Sequence, residues 1–204
     1  MKDGYDILNW YYSEAYQKNY KPGEPQYVGW YDRESQIKRF DELIKIGIGN
    51  GHTVLDYGCG TGDFLDYLKG KGISVKYYGL DINDEYLGIA KQNHKDVTFY
   101  GGDVIDIDPN TPKVDWIVAS GTFNALVPED WMLFRISICT KLVKRGVAFN
   151  LLKESEDASQ LIPYDPNDIM IKMVKSFPEF EVKITQNYLT DDFTVFLNKR
   201  IIEF

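Results

Sequence analysis

Apolar and polar positions follow two alternating patterns along most of this chain. Short apolar runs, typical of buried strands, cover residues 53–56, 76–81, 97–100, 115–120 and 146–151. Segments whose apolar residues have helical spacing lie between these runs. Strands that alternate with helices predict a mostly parallel sheet with helices on both faces.

The helical segments have recognisable starts and stops. The spacing predicts helices over residues 35–46, 63–69, 84–93, 128–144 and 167–176. In the first of these, Ile37, Phe40, Leu43 and Ile44 form the apolar side. Asn83 is a good N-cap for the third.

The last part of the chain has a different pattern. Residues 181–188 alternate at period two, and residues 193–199 form a second strand-like run after a short polar turn. This pattern predicts an antiparallel hairpin. We therefore predict an α/β fold with a three-layer, seven-stranded, mostly parallel sheet. No linker or repeat divides it, so residues 1–204 form one domain, with a core from residue 35 and an N-terminal arm of residues 1–34.

Composition supports a soluble globular protein. The 204 residues are 44% hydrophobic and 26% charged, which is ordinary for such domains. No apolar run approaches the roughly 20 residues of a membrane span, and the first residues do not have the pattern of a secretory signal. The two cysteines, Cys59 and Cys139, suggest a reducing, cytoplasmic location rather than a disulfide framework.

The charge pattern narrows the possible partners. The net charge of −8 disfavours binding along a nucleic-acid backbone, which needs clustered basic residues. The two histidines, His52 and His94, are far apart and lie in no zinc-type spacing, so no metal is expected.

The most informative segment joins the first predicted strand to the following helix. Asp56 ends the strand, and Gly58, Gly60 and Gly62 follow at alternate positions. Glycine permits positive φ and a close approach of the backbone to a ligand. The helix that starts at Asp63 offers N–H groups to an anion.

Two cofactor classes use such a turn. A dinucleotide site would have a third glycine where Asp63 stands, and a carboxylate there would face the pyrophosphate. The spacing of Asp56 and the three glycines instead resembles the first motif of class I S-adenosylmethionine (SAM) methyltransferases. This resemblance implies that the turn, including Tyr57 and Thr61, holds the methionine end of SAM, with the turn amides at its carboxylate and Asp56 at its ammonium group.

Two further acids end the next two strands. Asp81 lies 25 residues after Asp56, and Asp103 follows the third strand. In the family, an acid at the position of Asp81, together with the residue at Ile82, holds the ribose hydroxyls. An acid at the position of Asp103, together with the residue at Val104, meets the adenine. Three acids at successive strand ends argue against a glycine turn without a ligand. The resemblance covers residues 53–204 and implies the Rossmann-like fold of that family.

The N-terminal arm is rich in aromatic residues. Nine of its first 31 residues are Tyr or Trp, against 15% aromatic residues in the whole chain. These side chains either pack on the core or form a lid over cofactor and acceptor, with Tyr27 and Trp30 as candidate acceptor contacts. Gln36 and Arg39 share a helix face as candidate cofactor contacts. Arg39 meets the cofactor carboxylate or pairs with a surface acid.

The loop after the fourth strand faces the reacting methyl group in this architecture. The resemblance implies that the Ser120 carbonyl holds the cofactor's amino group and that Phe123 and Asn124 meet the acceptor. Asn124 is equally suited to loop hydrogen bonds. The Ser-Gly-Thr-Phe sequence here departs from the pattern of DNA amino-methyltransferases.

We therefore predict a SAM-dependent methyltransferase that acts on a small molecule by in-line displacement and releases S-adenosylhomocysteine. Alternatives are a protein or RNA methyltransferase, or a non-catalytic SAM-binding domain. The acceptor atom, any general base, any catalytic residue and the oligomeric state stay open.

Overall fold

A seven-stranded sheet forms the centre of the computed structural model, which describes residues 4–124, 128–153 and 161–200, with residues 4–7 in backbone only. The strands are β1 Thr53–Tyr57, β2 Lys76–Asp81, β3 Thr98–Gly101, β4 Val114–Ala119, β5 Val143–Leu152, β6 Phe180–Gln186 and β7 Asp192–Lys199. The helices are α1 Gly4–Tyr12, α2 Arg33–Leu43, α3 Asp63–Gly70, α4 Asp84–Asn93, α5 Glu129–Leu142 and α6 Pro166–Ser176.

The strand order is β3-β2-β1-β4-β5-β7-β6. β1 to β5 are parallel, and β7 lies antiparallel between β5 and β6. The chain direction across the sheet reverses between β1 and β4, and such a switch point opens a crevice at the carboxyl ends of the strands. The predicted fold class, including the C-terminal hairpin, is confirmed.

Each face of the sheet carries its own apolar core. On one face, residues of α5 and α6, such as Met132 and Met173, pack on inward side chains of β4, β5 and β7. On the other, residues of α2, α3 and α4, such as Leu43, Leu68 and Leu87, pack on the opposite side chains. Among the described residues, no helix has the length and apolar character that crossing a membrane requires.

The prediction for α2 was wrong about its buried face. Ile37 is exposed, whereas Gln36, Arg39 and Glu42 are buried beside Phe40 and Leu43. Apolar spacing assigns a polar side chain to solvent, and it fails where a helix packs against a polar cavity. The Asp32 side chain caps this helix by accepting the Ser35 N–H at 2.7 Å.

The boundary between α5 and β5 also differs from the prediction. The helix ends at Leu142 and the strand begins at Val143, without a turn at the predicted Gly146. Gly146 lies inside the strand, where a Cβ would clash with the Leu197 carbonyl of β7. The glycine therefore allows β5 and β7 to pack closely, and it does not end the helix.

Candidate active site

A cavity of about 840 Å³ lies at the carboxyl ends of the parallel strands, between the sheet and the N-terminal arm. Most predicted site residues line it: Trp30, Gln36, Arg39, Asp56, Tyr57, Gly58, Gly60, Asp81, Ile82, Asp103, Ser120, Phe123 and Asn124. Tyr27, Thr61, Gly62 and Val104 are not among the lining residues. The fold therefore brings together residues that are up to 94 positions apart in sequence.

Asp56 is an acid at the floor of this cavity. It is 2% exposed, and its carboxylate accepts a hydrogen bond from the Tyr77 hydroxyl. Burial raises the pKa of Asp56 to about 7, although the tyrosine bond lowers it, and the nearby charges of Asp81 and Asp63 raise it further. A cationic ligand beside Asp56 would stabilise its ionised form.

Asp81 connects the second strand to the glycine turn. One carboxylate oxygen accepts the Gly60 N–H at 2.7 Å, and the other accepts the Asn83 N–H at 2.9 Å. Burial raises the pKa of Asp81 against the lowering effect of these bonds. Each oxygen of a carboxylate has room for about two donors, so both can still accept from a pair of hydroxyl groups.

The glycine turn uses most of its own N–H groups internally. The Gly58 and Cys59 amides both donate to the Leu80 carbonyl, at 2.7 and 3.1 Å, and the Gly62 amide donates to the Cys59 carbonyl. With Gly60 bound to Asp81, four amides of the turn are occupied. This arrangement differs from the expectation that they are free for a carboxylate.

Thr61 and Gly62 lie behind this turn because they shape the start of α3. The Thr61 hydroxyl donates to Asp63 at 2.8 Å. Gly62 caps the helix at a φ of +89°, and a Cβ there would meet His94. Both residues support the turn from the protein side.

Asp103 belongs to a buried charge cluster. Its carboxylate accepts from Arg135 Nε at 2.6 Å and from the Tyr57 hydroxyl at 2.9 Å. The Arg135 guanidinium stacks on Trp131, 3.9 Å from the ring centre. Val104 next to Asp103 is fully buried in the core. Direct acceptance from an adenine amino group by Asp103 stays a prediction.

The sequence motifs did not single out Arg135 and Trp131, although both residues line the cavity. They stand one turn apart on α5, and this arginine sits within an otherwise apolar helix stretch. A single basic residue among apolar helix positions indicates a buried side chain with an acidic partner, and this pattern could have identified Arg135.

The N-terminal arm lies over the cavity on the side opposite the sheet. Val28 packs on Gly60, and the Trp30 ring packs on Gly121 so closely that a Cβ would not fit. Tyr12 and Tyr16 pack near Gly29 and also line the cavity. Tyr5 also belongs to the arm, but its side chain lies outside the described part of the structure.

Tyr27 fastens the arm instead of lining the cavity. Its hydroxyl donates to Glu85 at the start of α4, and its carbonyl accepts from the Tyr86 hydroxyl at 2.7 Å. The Gln17 side chain donates to Asn83 nearby, at 3.2 Å. The arm is thus attached to the connection between β2 and α4.

The loop after β4 is held by its own hydrogen bonds. Asn124 Oδ1 accepts the Leu152 N–H at 3.2 Å, which ties the loop to the end of β5. The Ser120 hydroxyl donates to Asn150 at 2.9 Å, and Asn150 donates to Thr194 at 2.7 Å. The Ser120 carbonyl was the predicted contact, so this side-chain bond leaves that prediction open.

Gln36 and Arg39 come from α2 and reach the cavity from its other side. Arg39 Nη2 pairs with Asp192, a fully buried acid at the start of β7, and the guanidinium lies 4.8 Å from the centre of the Trp30 ring. The acid that Arg39 meets is therefore buried and not at the surface. Burial raises the pKa of Asp192 to about 6 against the lowering effect of Arg39.

Comparison with known proteins agrees with this geometry. Residues 54–146 match the model of a methyltransferase domain. A Mycobacterium tuberculosis protein that carries the name of a methyltransferase is 26% identical over 72% of this chain and 93% of its own length. Malonyl-[acyl-carrier protein] O-methyltransferase of Pectobacterium atrosepticum is 32% identical over 43% of this chain and 34% of its own length.

Solved structures show the same fold. The magnesium protoporphyrin IX methyltransferase of Synechocystis, crystallised with bound S-adenosylhomocysteine, superposes with a TM-score of 0.75. The two proteins are 17% identical, and the superposition covers 97% of this chain and all of the other.

The strand order, with a cavity at its switch point, defines a Rossmann-like α/β fold of the methyltransferase type. The domain match over residues 54–146 and the fold shared with solved methyltransferases together indicate a class I SAM-dependent methyltransferase.

Proposed function

We propose that this protein transfers the methyl group of SAM to a small-molecule acceptor by in-line displacement. The observation that carries the proposal is a single cavity that contains the three strand-end acids, Asp56, Asp81 and Asp103, and is covered by the aromatic arm. Its volume of about 840 Å³ is in the upper part of the range for small-molecule sites, about 300–1,000 Å³.

The residues present fit SAM. Asp56 and Ser120 line the same cavity, and the Asp56 carboxylate and the Ser120 carbonyl would meet the ammonium group. Asp81 has acceptor capacity left for the two ribose hydroxyls. Ile82 and Asp103 also line the cavity, with Val104 buried beside Asp103, and these residues would hold the adenine. Gly58 and Gly60 let the ligand approach the backbone closely.

SAM supplies an activated methyl group that an acceptor nucleophile displaces from the sulfonium. The protein's task is therefore alignment and exclusion of water. Val28 lies against Gly60 of the turn and Trp30 lies against Gly121 after β4, and we propose that these side chains exclude water around the ligand. A general base is needed only for an acceptor that is protonated at the working pH, so we assign none.

The covered cavity supports a small acceptor over a macromolecular one. The Trp30 ring lies directly against Gly121, at the strand end that faces the reacting group. A protein or RNA substrate would have to pass this arm. The net charge of −8 also disfavours RNA. The buried, free thiols of Cys59 and Cys139 suit a reducing compartment, and we propose the cytoplasm.

Calorimetric titration with SAM, S-adenosylhomocysteine and NAD tests the cofactor. We expect micromolar binding of the first two and none of NAD. A methyl-transfer assay with labelled SAM then compares pools of small metabolites with RNA and protein fractions. Transfer confined to RNA or protein would contradict the small-molecule assignment. Binding without any transfer would favour a non-catalytic SAM-binding domain.

A further inference from the structure

Arg135 and Asp103 form a buried ion pair in the wall of the cavity. Arg135 Nε donates to Asp103 Oδ2 at 2.6 Å, and the two side chains are 5% and 2% exposed. Both residues line the cavity. A buried carboxylate keeps its charge when a cation and hydrogen-bond donors offset the loss of water. Arg135 therefore favours the ionised form of Asp103.

Neighbouring side chains fix the position of this ion pair. The Arg135 guanidinium lies 3.9 Å from the centre of the Trp131 ring, and its Nη1 donates to the Trp131 carbonyl at 3.4 Å. The Tyr57 hydroxyl donates to Asp103 Oδ1 at 2.9 Å, and the Asp103 N–H donates to the Asp106 carboxylate at 3.0 Å. Such support is typical of a preorganised binding site.

The charge of Asp103 decides which purine it can bind. An ionised carboxylate accepts hydrogen bonds and donates none, whereas a protonated carboxyl group also donates. Adenine has a 6-amino group, which is a donor, and hypoxanthine has a 6-oxo group, which is an acceptor. An ionised Asp103 therefore favours adenine, and a protonated Asp103 would also bind hypoxanthine.

We propose that Arg135 is a positioning residue that keeps Asp103 an acceptor and thereby makes the cofactor site select a 6-amino purine. This inference rests on the proposed function, because it assumes that Asp103 lies at the adenine of SAM. Arg135 acts through Asp103, and the Trp131 ring orients its guanidinium. The selectivity thus depends on a residue of α5 as well as on the acid after β3.

The test compares S-adenosylhomocysteine with S-inosylhomocysteine, which has hypoxanthine in place of adenine. Calorimetry gives the affinity for each ligand, and the ratio of the two affinities is the readout. A merely structural defect weakens both ligands alike and leaves this ratio unchanged. We expect the wild type to bind S-adenosylhomocysteine roughly ten- to a hundredfold more tightly, the range for a hydrogen bond to a charged group.

Two variants separate the charge of Arg135 from its shape. Arg135→Gln removes the charge and keeps an N–H donor. It should lower the affinity ratio at least about fivefold, because a buried Asp103 without its cation takes up a proton and can donate to the 6-oxo group. Arg135→Lys keeps a cation beside Asp103 and should keep the ratio within about threefold of the wild type.

Arg145→Gln is the matched control. Arg145 is half-exposed and lies 3.6 Å from Asp115, so this variant should bind both ligands as the wild type does. If Arg135→Gln does not fold, the double variant Asp103→Asn/Arg135→Gln takes its place, because it leaves no unpaired buried carboxylate. Its affinity ratio should also fall, since an amide both accepts and donates.

Three results would overturn the inference. The first is a wild type that binds both ligands equally well. The second is an unchanged affinity ratio in Arg135→Gln, or in the double variant where that one is used. The third is a loss of selectivity in Arg135→Lys as large as in Arg135→Gln. If the folded wild type binds neither ligand and does not bind SAM, the proposed function itself fails, and the role of Arg135 fails with it.

Discussion

The buried acids around the cavity are stabilised to different degrees. Asp103 has Arg135 as a direct counter-ion, whereas Asp56 has a tyrosine hydroxyl and lies near further acids. An ionised carboxylate without a counter-ion is costly to bury. The raised pKa of Asp56 expresses that cost, which a cationic ligand would offset.

Replacing Asp56 with Asn should stabilise the ligand-free protein in a pH-dependent way. The pKa of Asp56 is about 7 in the folded protein, against an ordinary 3.8. The folded state therefore binds the proton more tightly, and stability falls as pH rises from about 4 to 7. At pH 8 we expect the free energy of unfolding of Asp56→Asn to exceed that of the wild type by more than about 1.4 kcal/mol, the equivalent of one pKa unit.

This difference should shrink as the pH falls below about 3, under both pKa values, where Asp56 is protonated in the folded and the unfolded state. Urea unfolding across the pH range measures it. The exposed Asp96, changed to Asn, serves as the control and should show no such trend. Equal stability of wild type and Asp56→Asn at pH 8 would contradict an ionised, uncompensated Asp56.

Replacing Asp81 with Asn should weaken SAM binding by about 1–3 kcal/mol. The amide would turn a donor towards either the Gly60 or the Asn83 N–H, and one ribose hydroxyl would lose its acceptor. Calorimetry with S-adenosylhomocysteine measures the loss, with the exposed Asp130→Asn as a matched control. An unchanged affinity would refute the role proposed for Asp81.

At the scale of elements, two glycines should respond in opposite ways to alanine. Gly146→Ala should destabilise the fold by about 1–3 kcal/mol, because its Cβ would push against the Leu197 carbonyl where β5 and β7 pair. Gly88→Ala should stabilise α4 by about 0.5–1 kcal/mol, since its Cβ meets nothing within 4 Å. Chemical denaturation of both variants tests this, and a stable Gly146→Ala protein would mean that the strands can separate locally.

At the scale of the whole molecule, the arm and the core share the cavity. The arm is attached at Tyr27 and Gln17 to the β2–α4 connection, and it covers the glycine turn through Val28. A ligand that fills the cavity would contact both sides. We therefore propose that the arm acts as a lid.

Limited proteolysis tests the lid. S-adenosylhomocysteine should slow cleavage within residues 13–32 several-fold, because ligand contacts add to the attachment. Tyr27→Phe removes the hydroxyl bond to Glu85 and should speed cleavage of the ligand-free protein. Equal cleavage rates with and without ligand would leave the arm as a packed structural element.

Local patterns were enough to predict the strands and the acids that end them. Asp56, Asp81 and Asp103 each follow a short apolar run, and parallel strands of one sheet bring such ends to one edge. The sequence also named Gln36 and Arg39 of α2 as candidate cofactor contacts, but the apolar spacing of the helix did not predict their burial. That burial depends on the cavity wall and on Asp192, 153 residues after Arg39.

The sequence by itself determined the fold class, the glycine turn and the line of acids, because these depend on residues close to one another in the chain and on the periods of strand and helix. Only the tertiary structure decided which donors are occupied. It joined Arg135 to Asp103 and Arg39 to Asp192, and it closed the turn amides on Leu80 and Asp81. It also left Gln36 Nε2, Arg39 Nε and Arg39 Nη1 without a partner among the described residues. Whether a buried donor is hydrogen-bonded depends on residues from elements that are distant in the sequence. A local sequence pattern does not show which residues these are.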